Sequence, residues 1–160
     1  MCSDKVNTCA NLLSDRKLQI AFIESATAGR MCSEFALTEC SGDILLGGLA
    51  CYSVPIKEQL LKVPDHLIKT YTPESAEVTK ALAQGGSQLF NADVTVAVTG
   101  LTCPGGSETE EKPVGTMFLH IKYKESEKAY REVFKGTASE IILQTIDRTA
   151  ELITEHLQER

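Results

Sequence analysis

Three short segments of this chain carry residue types that could do chemistry together. They are Ile23-Glu24-Ser25-Ala26-Thr27-Ala28-Gly29, Tyr52-Ser53-Val54-Pro55-Ile56-Lys57 and Thr99-Gly100-Leu101-Thr102-Cys103-Pro104-Gly105-Gly106. The first is a hydroxyl-rich turn between an apolar run at 18–23 and a helical pattern beginning near Gly29. A serine there stands at the carboxyl end of a strand beside the N–H groups of a helix start, a place for a nucleophile or for a bound anion. The plainer alternative is that Ser25 or Thr27 caps the helix.

Lys57 falls in the first turn of a helix, where the positive end of the dipole disfavours an ammonium. In a partly dry site a neutral lysine becomes accessible, and a neutral amine can take a proton from a serine. Tyr52 could orient that lysine or relay the proton. The alternative is an exposed Lys57 on an amphipathic helix, with Tyr52 packed in the core. The Gly-Pro loop at 99–106 offers backbone N–H donors to an oxyanion or a phosphate. It is no P-loop, because GxxxxGK[ST] is absent.

The elements that must position these groups alternate between helix and strand along one domain, 1–160. Residues 4–15 read as a helix, 18–23 as a buried strand, and 29–38 as a helix closed by the Ser41-Gly42 turn. Residues 44–52 read as a second strand, loosened at Gly47-Gly48, which suggest a bulge or close backbone approach. Pro55 suits the first turn of a short helix over 56–63, with Ser53 as its cap. Thr72-Pro73-Glu74-Ser75 starts a longer helix to about Phe90, and 93–98 is a strand. Residues 115–123 and 129–134 form a hairpin, and Thr137-Ala138-Ser139-Glu140 is a capping box. The final helix carries a core stripe of Ile142, Thr145, Ile146, Thr149, Leu152, Ile153, His156 and Leu157. The order implies a three-layer α/β/α sandwich around a mixed, largely parallel sheet, with a ligand crevice at the carboxyl ends of the parallel strands.

Composition narrows the function classes. The chain is 42% hydrophobic and 24% charged, as in ordinary globular proteins. No run approaches the ~20 apolar residues of a spanning helix, so no membrane role is expected. A net charge of −6, with no basic cluster, argues against nucleic acid. Met1-Cys2-Ser3-Asp4-Lys5 lacks the basic-then-apolar pattern of a signal peptide, so a cytoplasmic location is expected. The six cysteines form no CxxC pair and are expected to be reduced thiols, several of them packed as small hydrophobes. His66, His120 and His156 are isolated from one another and read as surface or packing residues, and neither a metal nor a cofactor is expected.

Taken in order, the motifs resemble the CinA C-terminal domain family, whose stand-alone members include nicotinamide mononucleotide amidohydrolases. ESATAG (24–29) stands for the family's ESCTGG, YSVPIK (52–57) for YSNxxK, and TPESAEVTKALAQGG (72–86) for its serine-glutamate helix start. NADVTVAVTGLTCPGG (91–106) and EKPVGT (111–116) follow, so the resemblance spans about residues 18–120. It implies metal-free amide hydrolysis in which Ser25 is the nucleophile, with Lys57 and Tyr52 assisting. Thr27, Gly29, Thr99, Gly100, Thr102, Gly105 and Gly106 would bind a small, mononucleotide-like ligand, and a homo-oligomer would be in keeping with the family.

The chain also departs from the family pattern. Ala26 and Ala28 replace a cysteine and a glycine, and Thr102-Cys103 replaces Ala-Gly. The family's late GDRxxxR segment reads Gly136-Thr137-Ala138-Ser139-Glu140-Ile141-Ile142, without either arginine. A phosphate is best held by arginine or lysine, and Arg30 and Lys112 are the candidates to substitute. The stripped clamp leaves a second reading open: a catalytically degenerate ligand-binding or protein-interaction paralogue.

Overall fold

In the computed structural model, which describes residues 2–159, the chain runs α1 (Asp4–Asp15), β1 (Ile20–Glu24), α2 (Arg30–Ala36), α3 (Ser41–Ile44), β2 (Leu45–Ala50), α4 (Val54–Leu61) and α5 (Asp65–Tyr71). It continues through α6 (Ala76–Phe90), β3 (Val94–Gly100), β4 (Thr116–Tyr123), β5 (Glu127–Val133) and α7 (Ala138–Gln158). The sheet order is β2-β1-β3-β4-β5. β1 pairs in parallel with both β2 and β3, whereas β3–β4 and β4–β5 are antiparallel. The sheet is therefore mixed, and β4 alone runs against the other strands.

Burial explains this order. Every residue of β1 is buried, and so are the first six of β3, which suits strands covered on both faces. The edge strands β2 and β5 alternate between partial and full exposure instead. Within β1, Ile20 and Phe22 join a core cluster with α1, α2 and α7, whereas Ile23 turns to the opposite face, toward α4, α5 and α6. That alternation divides the helices into the two outer layers. α6 lies close to the sheet because Gly86 has no side chain, and a methyl there would overlap Ile23.

The expected bulge is present. Ile20 pairs with Leu45 but Ala21 pairs with Gly47, leaving Leu46 as the extra residue of β2. The capping box at Thr137 and Glu140 is complete. Other details differ from the sequence reading. α5 lies in a stretch to which the sequence reading assigns no element. Ser41-Gly42 opens a one-turn helix rather than a simple turn. Ser53 occupies the N-cap of α4, but its side chain makes no cap hydrogen bond. On α7 the buried stripe begins at Ile141, with Ile142 only partly buried.

The cysteines are free thiols; Cys2, Cys9 and Cys51 are buried, and burial pushes the Cys9 thiol up to about 12. His66 is exposed, whereas His120 is buried with Nε2 3.1 Å from Glu127 and His156 stacks on Tyr123. Among the described residues no helix is long and apolar enough to cross a membrane.

Candidate active site

The carboxyl ends of β1, β2 and β3 lie side by side because the parallel ladder continues past the strands. Ser25 N–H donates to Val98 O at 3.0 Å, and Cys51 N–H donates to Glu24 O at 2.8 Å. Ser25 is thus fixed to β3, and the start of the Tyr52 segment to β1. At this end of the sheet a cavity of about 180 Å³ is lined by Ser25, Ala26, Tyr52, Glu74 and residues 100–106. It lies where an α/β sheet places its ligand crevice. Its volume is below the ~300–1,000 Å³ of pockets that bury drug-sized ligands, and suits the reacting end of a small molecule.

Lys57 does not line this cavity but meets Ser25, which does. It is the fourth residue of α4, its side chain is 1% exposed, and Nζ folds back toward the residues that precede the helix. Nζ lies 3.0 Å from Ser25 Oγ, 2.7 Å from Cys51 O and 2.8 Å from Tyr52 O. All three partners are neutral oxygens. Burial therefore holds the amine below the ordinary lysine value. In the neutral amine two N–H bonds satisfy the two carbonyls, and the lone pair is left for the Ser25 hydroxyl. That is the geometry of a base beside a nucleophile.

The other expected site residues divide into two groups. Gly100, Thr102, Gly105 and Gly106 line the cavity beside Ser25. Thr27, Gly29 and Thr99 do not line it. Thr27 Oγ1 donates to Glu24 Oε2 at 2.6 Å, and Gly29 N–H reaches the same oxygen at 3.0 Å. Thr99 Oγ1 lies 2.8 Å from Thr79 Oγ1, tying the end of β3 to α6. Tyr52 is 70% exposed at the rim; it meets Lys57 through its main-chain carbonyl, and among the described residues its phenol has no hydrogen bond.

Glu24 was missed as a functional residue. Its buried carboxylate also accepts Met31 N–H at 3.0 Å and Cys32 N–H at 2.8 Å. The start of α2 is therefore filled by the protein's own anion and is not open to a ligand's. The available signal was an acidic residue ending an apolar strand, since a buried charge must find partners. Glu74 and Glu108 were missed too: Glu74 lines the cavity, and Glu108 Oε1 accepts Gly105 N–H at 2.7 Å.

Neither substitute cation is placed to hold a phosphate in this cavity. Arg30 is paired with Glu34 at 2.6 Å. Lys112 Nζ donates to Thr72 Oγ1, Glu74 O and Ser107 Oγ at 2.7, 3.0 and 2.9 Å.

Ala28 has φ +48°, in the left-handed region where a Cβ costs roughly 1–2 kcal/mol. Ala28→Gly removes that cost but gives the unfolded chain more freedom. The expected net gain is about 0.5 kcal/mol, or roughly 1–2 °C in Tm for a chain of this size. Thermal unfolding checks this, and a lower Tm in the variant would refute the strain.

The family model described as CinA C-terminal domain matches residues 3–157. A CinA-like protein of Mycobacterium avium is 42% identical over 113 residues, which is 71% of this chain and 25% of that protein. A CinA-like protein of Thermotoga neapolitana is 30% identical over 149 residues, 93% of this chain and 36% of that protein. The chain thus spans about a quarter to a third of the length of these relatives. The crystal structure of a competence-damaged protein (CinA) superfamily protein from Klebsiella pneumoniae superposes with a TM-score of 0.92, at 20% identity and 98% coverage of both chains. The competence/damage inducible protein CihA from Agrobacterium tumefaciens superposes with a TM-score of 0.89, at 23% identity, covering 99% of this chain and 98% of that one. These superpositions show the shared fold.

Proposed function

The chain belongs to the CinA C-terminal domain family, and from that premise we propose that it is a metal-independent amidohydrolase acting on nicotinamide mononucleotide or a related small carboxamide. The observation that carries this reading is the 3.0 Å contact between the Ser25 hydroxyl and a buried lysine whose other partners are carbonyls. Neutral Lys57 takes the Ser25 proton as Oγ attacks the carboxamide carbon. The resulting oxyanion is met by backbone N–H donors, for which Ala26, next to the nucleophile in sequence and in the cavity wall, is a candidate. The Lys57 ammonium returns the proton to the amide nitrogen, which departs as ammonia. A water then adds to the acyl-enzyme, with Lys57 again as base, releasing the acid and restoring Ser25. Tyr52 contributes through its carbonyl, which fixes Nζ.

The purified protein should release ammonia from primary carboxamides, nicotinamide mononucleotide among them, and Ser25→Ala should lower the rate at least ~10³-fold. Undiminished release from the variant would overturn the mechanism. A second reading, a non-catalytic binding paralogue, is favoured by the way Glu108 occupies Gly105 N–H in the cavity wall. Calorimetry showing binding without ammonia release would select it.

A further inference from the structure

The amide hydrolysis proposed above concerns one end of the substrate; the cavity also constrains the other end. Besides Ser25, Ala26 and Tyr52, the wall is made by residues 100–106 and Glu74. The Gly-Pro loop is where a phosphate would look for N–H donors. Instead, Gly105 N–H donates to Glu108 Oε1 at 2.7 Å, and a Cβ on Gly106 would lie 3.6 Å from Glu108 Oε2. Glu74 Oε2 accepts from Ser107 Oγ at 2.6 Å, so a second carboxylate is fixed beside the loop. Lys112, which lies against Ser107, directs its ammonium to Thr72, Glu74 and Ser107 oxygens. Lys57 is engaged by Ser25 and two carbonyls. A phosphate at this wall would thus meet the Glu74 carboxylate and find Gly105 N–H already held by Glu108, while the nearby Lys112 ammonium is engaged by three other oxygens.

We propose that Glu108 is a specificity-determining residue that stands in for a ligand anion on the Gly-Pro loop, so that the site favours neutral or cationic carboxamides over phosphorylated ones. This rests on the amidase reading for the chemistry but not for the affinity order. The loop N–H groups hold the Glu108 carboxyl below its ordinary range, so it remains an anion at neutral pH. Any phosphate must displace a like charge before it can reach the same donors.

The test compares nicotinamide mononucleotide with the riboside that lacks only its phosphate. Calorimetric Kd values on Ser25→Ala and ammonia-release kcat/KM on the unmodified protein are measured at low salt. The riboside is expected to bind and react at least ~10-fold better. Glu108→Gln and Glu108→Ala should narrow that ratio about tenfold through the mononucleotide alone, and added salt should narrow it in the unmodified protein. A mononucleotide preference, or a ratio unmoved by both Glu108 variants, overturns the inference even if ammonia is released. Ordered binding without ammonia release overturns the amidase reading and leaves the inference standing. Failure of both compounds to bind overturns both.

Discussion

Lys57→Met is expected to lower kcat/KM for amide hydrolysis at least ~10³-fold while leaving Tm unchanged or raised. The two effects share one cause. Lys57 is 1% exposed and hydrogen-bonded to three neutral oxygens, so its charged form is desolvated without an anionic partner. Methionine fills nearly the same volume with no charge to bury, and replacing a buried charge by an apolar side chain of similar size is often neutral or stabilising. On the proposed mechanism the reaction loses its base, and the fold loses a desolvated amine.

The pH dependence has a fixed sign. The base must be neutral, so kcat/KM should rise with pH as Lys57 loses its proton, with the midpoint below the ordinary value of 10.5. In stability the lysine is depressed in the folded state, so between its folded and unfolded values the unfolded chain binds more protons. Its contribution is therefore fully present above 10.5 and is lost as pH falls through the folded value. The methionine variant should lack both dependences. Rate profiles and melting curves across pH check this, and a variant that keeps more than about a tenth of the activity shows that Lys57 is not the base.

Much of the fold can be read from hydrophobic pattern. β1 and β3 are continuous apolar runs, and such runs belong in the middle of a sheet covered on both faces. The capping box names its own helix start, and the Gly47-Gly48 pair announces the bulge. α5 is invisible to the same reasoning. Seven residues are too few to show a helical period, and only Ile68 among them is buried.

In the site, Ser25 and Lys57 could be placed because strand ends and helix starts are local features. What could not be read was which groups the ligand meets and which the protein keeps for itself. Thr27 and Gly29 have the composition of a ligand-binding turn, yet both donate to Glu24. Thr99 looks like a pocket hydroxyl, yet it faces Thr79 across the β3–α6 contact. Tyr52 reads as a phenol next to a lysine, and the structure supplies its carbonyl instead. Each case turns on a hydrogen bond to a residue whose direction no residue type encodes.

Glu24 should therefore be the most sensitive polar position in the chain. Its carboxylate is 1% exposed and accepts four donors: Thr27 Oγ1, Gly29 N–H, Met31 N–H and Cys32 N–H. Those N–H groups are the unpaired donors of the α2 start, and an anion there also meets the positive end of the helix. Glu24→Ala removes the acceptor and leaves three backbone N–H groups without it, that of Met31 buried and those of Gly29 and Cys32 partly so. The expected loss is about 4 kcal/mol, or roughly 10 °C in Tm for a chain of this length. Glu24→Gln keeps one acceptor oxygen but turns an NH₂ toward donors, so about half that loss is expected. Both should also cost activity, because this network sets the turn that follows Ser25, and a nucleophile displaced by about 1 Å can lose ~10²-fold in rate. Denaturant unfolding and ammonia-release kinetics on the two variants separate these effects. A Glu24→Ala protein melting within about 2 °C of the parent would show that the donors find water, and that the carboxylate is not what holds the turn.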